Sequence, residues 1–177
     1  MNENQPKPIE WSDKEGFYAS VGQGISAWVV LEMTLVFLFS RLLSITPRQA
    51  GLVLYSIMNF YTWLTLITDL FASEPKFAHL RGAWNKKFER LRALNDTRTR
   101  LAHHTTFESE GLVSLKPSRL DIRPKSLAYE PLQDADIVKF TSDVSDLQTE
   151  LMAIIEAVES LTPSVGISEE PNPGQQH

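Results

Sequence analysis

The residues with the most chemistry in this chain stand together between Leu91 and His104, reading Leu91-Arg-Ala-Leu-Asn-Asp-Thr-Arg98-Thr-Arg-Leu-Ala-His103-His104. Three arginines, an Asn-Asp pair and two adjacent histidines crowd beside Leu94, Leu101 and Ala102. Histidine accepts or gives a proton near neutral pH, whereas arginine stays charged and presents a planar fork of donors matched to phosphate oxygens. Together they suit the metal-free breaking of a phosphodiester, in which a base takes the proton of an RNA 2′-hydroxyl and fixed positive charge stabilises the crowded phosphorane. A bland reading stands beside this one. Histidine and arginine in the last turn of a helix also meet its C-terminal dipole favourably, by about 0.3–1 kcal/mol.

Within the cluster, Arg98-Thr-Arg-Leu-Ala-His103 resembles the signature of the HEPN superfamily, an arginine followed by a small polar residue and, a few positions on, a histidine. The commonest spelling is close to Arg-Asn-x-x-Ala-His, so Arg98, Ala102 and His103 match, and Thr99 stands where asparagine is usual. The resemblance implies an all-α, up-and-down four-helix bundle carrying the motif at the end of its third helix. It also implies a cleft at a homodimer interface and, in several members, a metal-independent endoribonuclease serving as a toxin or antiviral effector. RNA is then the substrate and an antitoxin or other protein a partner. On that basis Arg98 is assigned to the scissile phosphate and His103 to acid-base work. Asn95 and Thr99 would orient these groups, Asp96 would fix a histidine tautomer, and His104 would support them. Other members act as non-catalytic interaction or nucleotide-binding modules, and Thr99 in place of asparagine keeps that alternative open.

Composition limits the rest. A chain of 177 residues fits one domain with a core able to fold alone. Without cysteine there is no disulfide, thiolate metal site or cysteine nucleophile. No phosphate-binding glycine loop, zinc-ligand spacing or nucleophile elbow occurs either, so no metal and no cofactor is expected. The opening Met1-Asn-Glu-Asn-Gln-Pro-Lys-Pro lacks the charged-then-apolar order of a signal peptide, which makes the cytoplasm the expected compartment. The most lipid-like run, Gly24 to Ser40, falls short of the ~20 residues a membrane span needs and has Glu32 in its middle. It is read as a buried helix and not as a membrane segment.

The formal net charge of −5 hides a segregation. Residues 76–125 hold 12 Lys and Arg against 5 Asp and Glu, while the rest of the chain holds 5 against 17. Either the basic third helix packs beside the acidic last one, or the motif lies on a local anion-attracting surface.

Four long helices are needed to place these groups. The first runs from about Phe17 to Ser44, with Val21, Ile25, Trp28, Val29, Glu32, Leu35, Val36, Phe39 and Leu43 at spacings of three and four. Thr46-Pro47 starts the second, which is expected to continue unbroken to about Ala72. It is apolar almost all round and must be covered on more than one side, so a homodimer through the first two helices and the motif region is expected. A helix central within one protomer is the other solution.

Ser73-Glu-Pro75 should cap the third helix, which continues to about His104 with a stripe of Phe77, Leu80, Trp84, Phe88, Leu91, Leu94 or Asn95, Arg98 and Ala102. Arg98 thus lies on the buried line, whereas Arg81, Lys86, Arg90 and Arg100 read as solvated. Arg100 nevertheless joins Lys116, Arg119, Arg123 and Lys125 among the candidate substrate contacts. Between the third and fourth helices, 111–117 and 119–124 are short alternating runs ended by prolines, suited to a hairpin or an irregular excursion over the site. The last helix, Gln133 to Leu161, carries a fault-free seam of Ile137, Phe140, Val144, Leu147, Leu151, Ile154, Val158 and Leu161.

Residues 1–16 read as a flexible arm with Trp11 as an anchor, 17–161 as the helical domain and 162–177 as a disordered tail. Two acids inside apolar helices, Glu32 and Asp69, each call for a partner, with Arg98 or Arg41 as the candidates. His79 is too far along its helix from His103 to share a metal with it. Asp134 and Asp136 are explained by capping.

Overall fold

A computed structural model describes residues 13–109, 112–117 and 131–162 of the chain. Trp11, Arg119, the run 119–124, Arg123, Lys125 and the tail from residue 163 lie outside the described residues. Five α-helices and one two-stranded hairpin make up the described part: α1 Asp13–Leu43, α2 Pro47–Tyr55, α3 Phe60–Ser73, α4 Arg81–His103, β1 Thr105–Ser109, β2 Leu112–Lys116 and α5 Asp134–Leu161. A six-residue 3₁₀ helix, Pro75–Leu80, leads into α4.

The longest helices, α1 and α5, pack most extensively against each other, and α3 and α4 close the core from the other side. The seam of α5 holds over most of its length, with Ile137, Phe140, Val144, Leu147, Leu151, Ile154 and Val158 buried and Leu161 at its end partly so. Its start is capped by the Asp136 carboxylate, which accepts from the Gln133 N–H at 2.9 Å. In α1 the buried line overlaps the expected one in part, sharing Trp28, Leu35, Val36 and Phe39. Phe17, Trp28, Leu31, Leu35, Leu38 and Leu42 are buried, whereas Ile25, Val29 and Leu43 face outward. Gly24 lies on the buried line because α5 and α4 come close there: a Cβ would sit 3.4 Å from Phe140 and 3.5 Å from Leu101. The helix also begins at Asp13, earlier than the expected Phe17. By length and composition α1 could cross a membrane, but half of its most apolar window is buried inside the protein.

At the start of α2 the reciprocal cap is present. The Thr46 hydroxyl accepts from the Gln49 N–H at 3.2 Å, and the Gln49 side chain accepts from the Thr46 N–H at 3.0 Å. The expected single second helix, however, is two. It stops after Tyr55, and Asn59 restarts it by accepting the Tyr61 N–H at 2.9 Å. Ser56 turns its hydroxyl back to the Val53 carbonyl, and the freed Ile57 carbonyl accepts from the Trp63 indole. The break explains much of the all-round apolar pattern, since the two halves bury different faces: Ala50 and Leu54 from α2, then Trp63, Leu64, Ile67 and Phe71 from α3.

The third helix likewise starts later than expected. Ser73 ends α3 without capping the next helix, and Pro75–Leu80 is 3₁₀. Phe77, Leu80, Trp84 and Leu91 are buried along it. The Trp84 ring stacks on Phe71 and its N–H donates to the Thr68 hydroxyl at 2.8 Å.

Arg81, read as solvated, works as a cap. Its Nε donates to the Phe71 carbonyl at 2.6 Å and Nη2 to the Ala72 carbonyl at 2.5 Å, so one guanidinium satisfies two carbonyls at the C-terminal end of α3. Replacing it with alanine leaves both without that partner. Arg81→Ala should cost about 1–2 kcal/mol, read as a fall in the chemical-denaturation midpoint with unchanged slope. A midpoint equal to wild type would show that water serves those carbonyls as well.

A hairpin does come after the motif, but with a different pairing. Residues 105–109 pair with 112–116 in antiparallel register, Thr105 opposite Lys116 and Ser109 opposite Leu112. The overlooked strand, Thr105-Thr-Phe107, is rich in β-formers.

Candidate functional site

The motif occupies the last turns of α4, where the leucines around it are buried to different degrees: Leu91 and Leu101 fully, Leu94 partly. Arg98 is on that side, as expected, and is not sealed in. Its guanidinium reaches α1, where Nη2 stands 3.8 Å from Glu32 Oε1, and 40% of the side chain remains exposed. Glu32 is itself held from below by the buried Trp28, whose indole N–H donates to the same Oε1 at 2.7 Å. Glu32 thus has the cation expected for it, while Arg41 pairs instead with Glu159 at 2.5 Å. Asp69 is exposed and needs no partner.

A third side chain joins this corner from α2. The Tyr55 phenol is pushed above its ordinary pKa first by burial and then by the negative charge of Glu32. The corner therefore joins α1 to α4, with the Tyr55 phenol of α2 within reach of the Glu32 charge. Because Glu32 was read as a core acid and Tyr55 as one of many apolar positions, only the pairing of Glu32 with Arg98 was visible in advance.

The remaining motif residues diverge. With 3.6 residues per turn, His103 lies roughly 140° around α4 from Arg98. It is exposed at the last position of the helix. Asp96 is exposed on that same outer face, about 10 Å of helix axis before His103. Asn95 is half-buried near Arg98, and its carbonyl accepts from the Thr99 hydroxyl at 2.8 Å. Thr99 thus uses its one donor inside the helix. His104 is half-buried, and its backbone N–H donates to the Arg100 carbonyl at 2.9 Å, closing the last turn.

Arg100 is not the solvated residue expected. It is half-buried and lines a polar pocket of about 230 Å³ between α4 and α5, together with Thr97, Lys139 and Asp143. Lys139 and Asp143 are joined at 2.5 Å. Lys116 lies on the second strand with its ammonium 4.3 Å from the centre of the Phe107 ring. Farther up α4, Arg90 pairs with Glu150 at 2.6 Å and Lys87 contacts the same carboxylate. Burial, followed by the neighbouring Arg90 and Lys86, holds the Lys87 ammonium below the usual lysine range. Part of the positive charge of α4 is therefore directed at α5, while Arg98 stays partly exposed beside α1. His79 is exposed on the 3₁₀ segment. Among the described residues no group of three or more histidines and carboxylates is placed to hold a metal ion.

Beside the Glu32 corner lies an uncovered apolar face. Ile25, Val29, Met33 and Phe37 repeat every fourth residue along α1, with Val30 between them, and each is 40–47% exposed. Leu52, Val53 and Tyr55 extend the face onto α2, and Met58 in the following turn is fully exposed. Between the two helices is a groove of about 690 Å³ lined by Met33, Phe37, Gly51, Leu52 and Tyr55 among others. From Gly16 to Ser40 the only charged residue of α1 is Glu32. Comparison with family models, with characterised proteins and with solved structures returns no match to this chain.

Proposed function

We propose that this protein is a HEPN-like endoribonuclease that cleaves RNA without a metal ion. In this reading its working form is a cytoplasmic homodimer, assembled through the α1–α2 face and the adjoining motif region. The fold would be an up-and-down four-helix bundle whose second member is the broken pair α2–α3. The observation that carries the reading is the corner at the end of α4. There a half-exposed arginine of the Arg98–His103 motif is fixed beside an apolar face too large to be left to water. Eight large apolar side chains at least 40% exposed, Ile25, Val29, Val30, Met33, Phe37, Leu52, Val53 and Met58, offer an area of the order of the ~800 Å² per partner of a standard interface.

Arg98 and His103 leave α4 roughly 140° apart, so in this reading the productive set draws on both copies, Arg98 of one facing His103 of the other across a two-fold axis. In the reaction a neutral histidine takes the proton of the 2′-hydroxyl. The 2′-oxygen then attacks phosphorus while a guanidinium neutralises the phosphorane oxygens. The 5′-oxygen leaves with a proton from a histidinium, giving a 2′,3′-cyclic phosphate and a 5′-hydroxyl. Arg100 and Lys116, with Arg119 beyond the described residues, would serve the flanking phosphates. A role as a toxin or defence component with an antitoxin-like partner fits such an activity.

Two observations favour the second reading, a non-catalytic dimeric interaction or nucleotide-binding module. Arg98 already has a carboxylate partner, and Thr99 bonds its own helix instead of projecting a donor. Incubation of end-labelled structured and unstructured RNA in EDTA separates the two. Cleavage at the same sites and rates with and without EDTA, leaving cyclic phosphate ends, is expected. A well-folded dimer that cuts none of these RNAs would transfer the assignment to the binding module.

A further inference from the structure

We propose that Glu32 is the positioning residue of the site: it holds the Arg98 guanidinium at the α1–α4 crevice while leaving most of its donors for a phosphate. The inference rests on the ribonuclease reading above and adds a residue from outside the motif, 66 positions before Arg98 in the chain.

Three features carry it. First, the carboxylate is itself fixed. Trp28 is 1% exposed, clasped between Phe60 at 5.0 Å and Phe140 at 6.2 Å, and its indole N–H pins Glu32 Oε1 at 2.7 Å. A side chain bonded to a buried, ring-stacked partner cannot wander as a surface glutamate does. Second, the contact with Arg98 is partial. One Nη atom approaches that oxygen at 3.8 Å, an ionic distance longer than a hydrogen bond, and the guanidinium has five N–H donors. A purely structural arginine would more usually be gripped by both oxygens.

Third, Glu32 is the only charge on α1 between Gly16 and Ser40, on a helix otherwise given to core and apolar face. Placing a lone acid there costs desolvation that an alanine or leucine would avoid. Its use is to bring one negative charge to the point where Arg98 arrives. The apolar groove of α1 and α2, with Tyr55 on its lining, lies beside this corner, so assembly on that face would also limit water there.

Glu32→Gln isolates the effect, because the amide oxygen still accepts from Trp28 while the negative charge is gone. The first measurement needs no RNA. The Arg98 Nε–H resonance, identified by its disappearance in Arg98→Ala, should shift and exchange faster with solvent in Glu32→Gln, and be partly restored in Glu32→Asp. The second is kinetic. In Glu32→Gln, kcat for RNA cleavage should fall roughly 10- to 100-fold, as for a modest misplacement of a catalytic group. KM should stay level or drop, since a negative charge beside the phosphate has been removed.

An Arg98 resonance unmoved in Glu32→Gln would overturn the proposal, whatever the protein does to RNA. So would a loosened guanidinium with unchanged kcat in a protein that Arg98→Ala inactivates. Wild-type protein that cuts no RNA, with the resonance shift present, would instead sink the ribonuclease reading and leave Glu32 as half of a structural ion pair, which removes the positioning role with it.

Discussion

Arg98→Ala and His103→Ala should each lower kcat/KM for RNA cleavage by roughly 10³-fold, with the double variant little worse than either alone. The magnitude comes from the roles. Losing a preformed cation at a developing phosphorane removes a transition-state contact of about 10²–10³-fold, and losing the acid-base group removes about 10²–10⁴-fold. Groups that act on one event do not add, so the double variant should plateau.

The controls are favourable because neither side chain is sealed in the core. His103 is exposed at the last position of α4, and its removal costs only a dipole interaction of about 0.3–1 kcal/mol. Arg98 is 40% exposed and its ion pair with Glu32 is correspondingly screened, so helicity and assembly should survive both changes. Arg98→Lys should restore little, since a point charge does not reproduce a guanidinium that contacts Glu32 at one end and a phosphate at the other. Cleavage that persists in both alanine variants would place the reaction elsewhere.

What the sequence made visible, and what it did not, divides along physical lines. The seam of α5 was readable residue by residue, because a long helix buried on one stripe repeats at three and four without interruption. The Thr46 cap was readable because capping is local chemistry. The break at 56–59 was not. Ser56 and Asn59 are single polar residues inside an apolar run, and periodicity weighs an all-round apolar stretch as one buried helix. Only the side-chain bonds of Ser56, Asn59 and Trp63 show that the chain turns there.

The exposure of Ile25 and Val29 was hidden for a related reason. A helix apolar on two sides gives no phase from which to decide which stripe faces the core, and nothing in the pattern marks Gly24 as the point where α5 and α4 come close. At the site, the spacing put Arg98 on the inner line and flagged Glu32 as an acid in need of a cation. The divergence of His103 was also implicit in a five-residue step, roughly 140° of turn. The environments of Arg81 and Arg100 were beyond reach, since each depends on a helix brought up by tertiary packing: α3 for Arg81 and α5 for Arg100.

If the α1–α2 face joins two copies, placing charge on it should dissociate them and silence the site together. Met33→Glu with Leu52→Glu is the suited pair. Both side chains are well exposed in the protomer, 47% and 71%, so the substitutions cost its fold little and leave circular dichroism unchanged. In a dimer each would be an unpaired charge in an apolar interface, at a cost of several kcal/mol. The dissociation constant should therefore rise at least about 10³-fold. Sedimentation should show a wild-type dimer at micromolar concentration and a monomeric double variant. Cleavage should fall with dimer fraction and not with RNA affinity, because Arg98 and His103 remain present and solvated in each monomer while pointing apart.

Two controls separate the alternatives. A wild-type protein that stays monomeric but partitions onto lipid vesicles would assign the apolar face of α1 to a membrane and leave the composite site without its second half. A double variant that remains dimeric would mean that the copies meet elsewhere, and the groove between α1 and α2 would then need a different occupant. Loss of cleavage in step with loss of the dimer is the outcome that ties the uncovered face to the motif, since Arg98 and His103 leave α4 roughly 140° apart and a set shared between two copies exists only in the dimer.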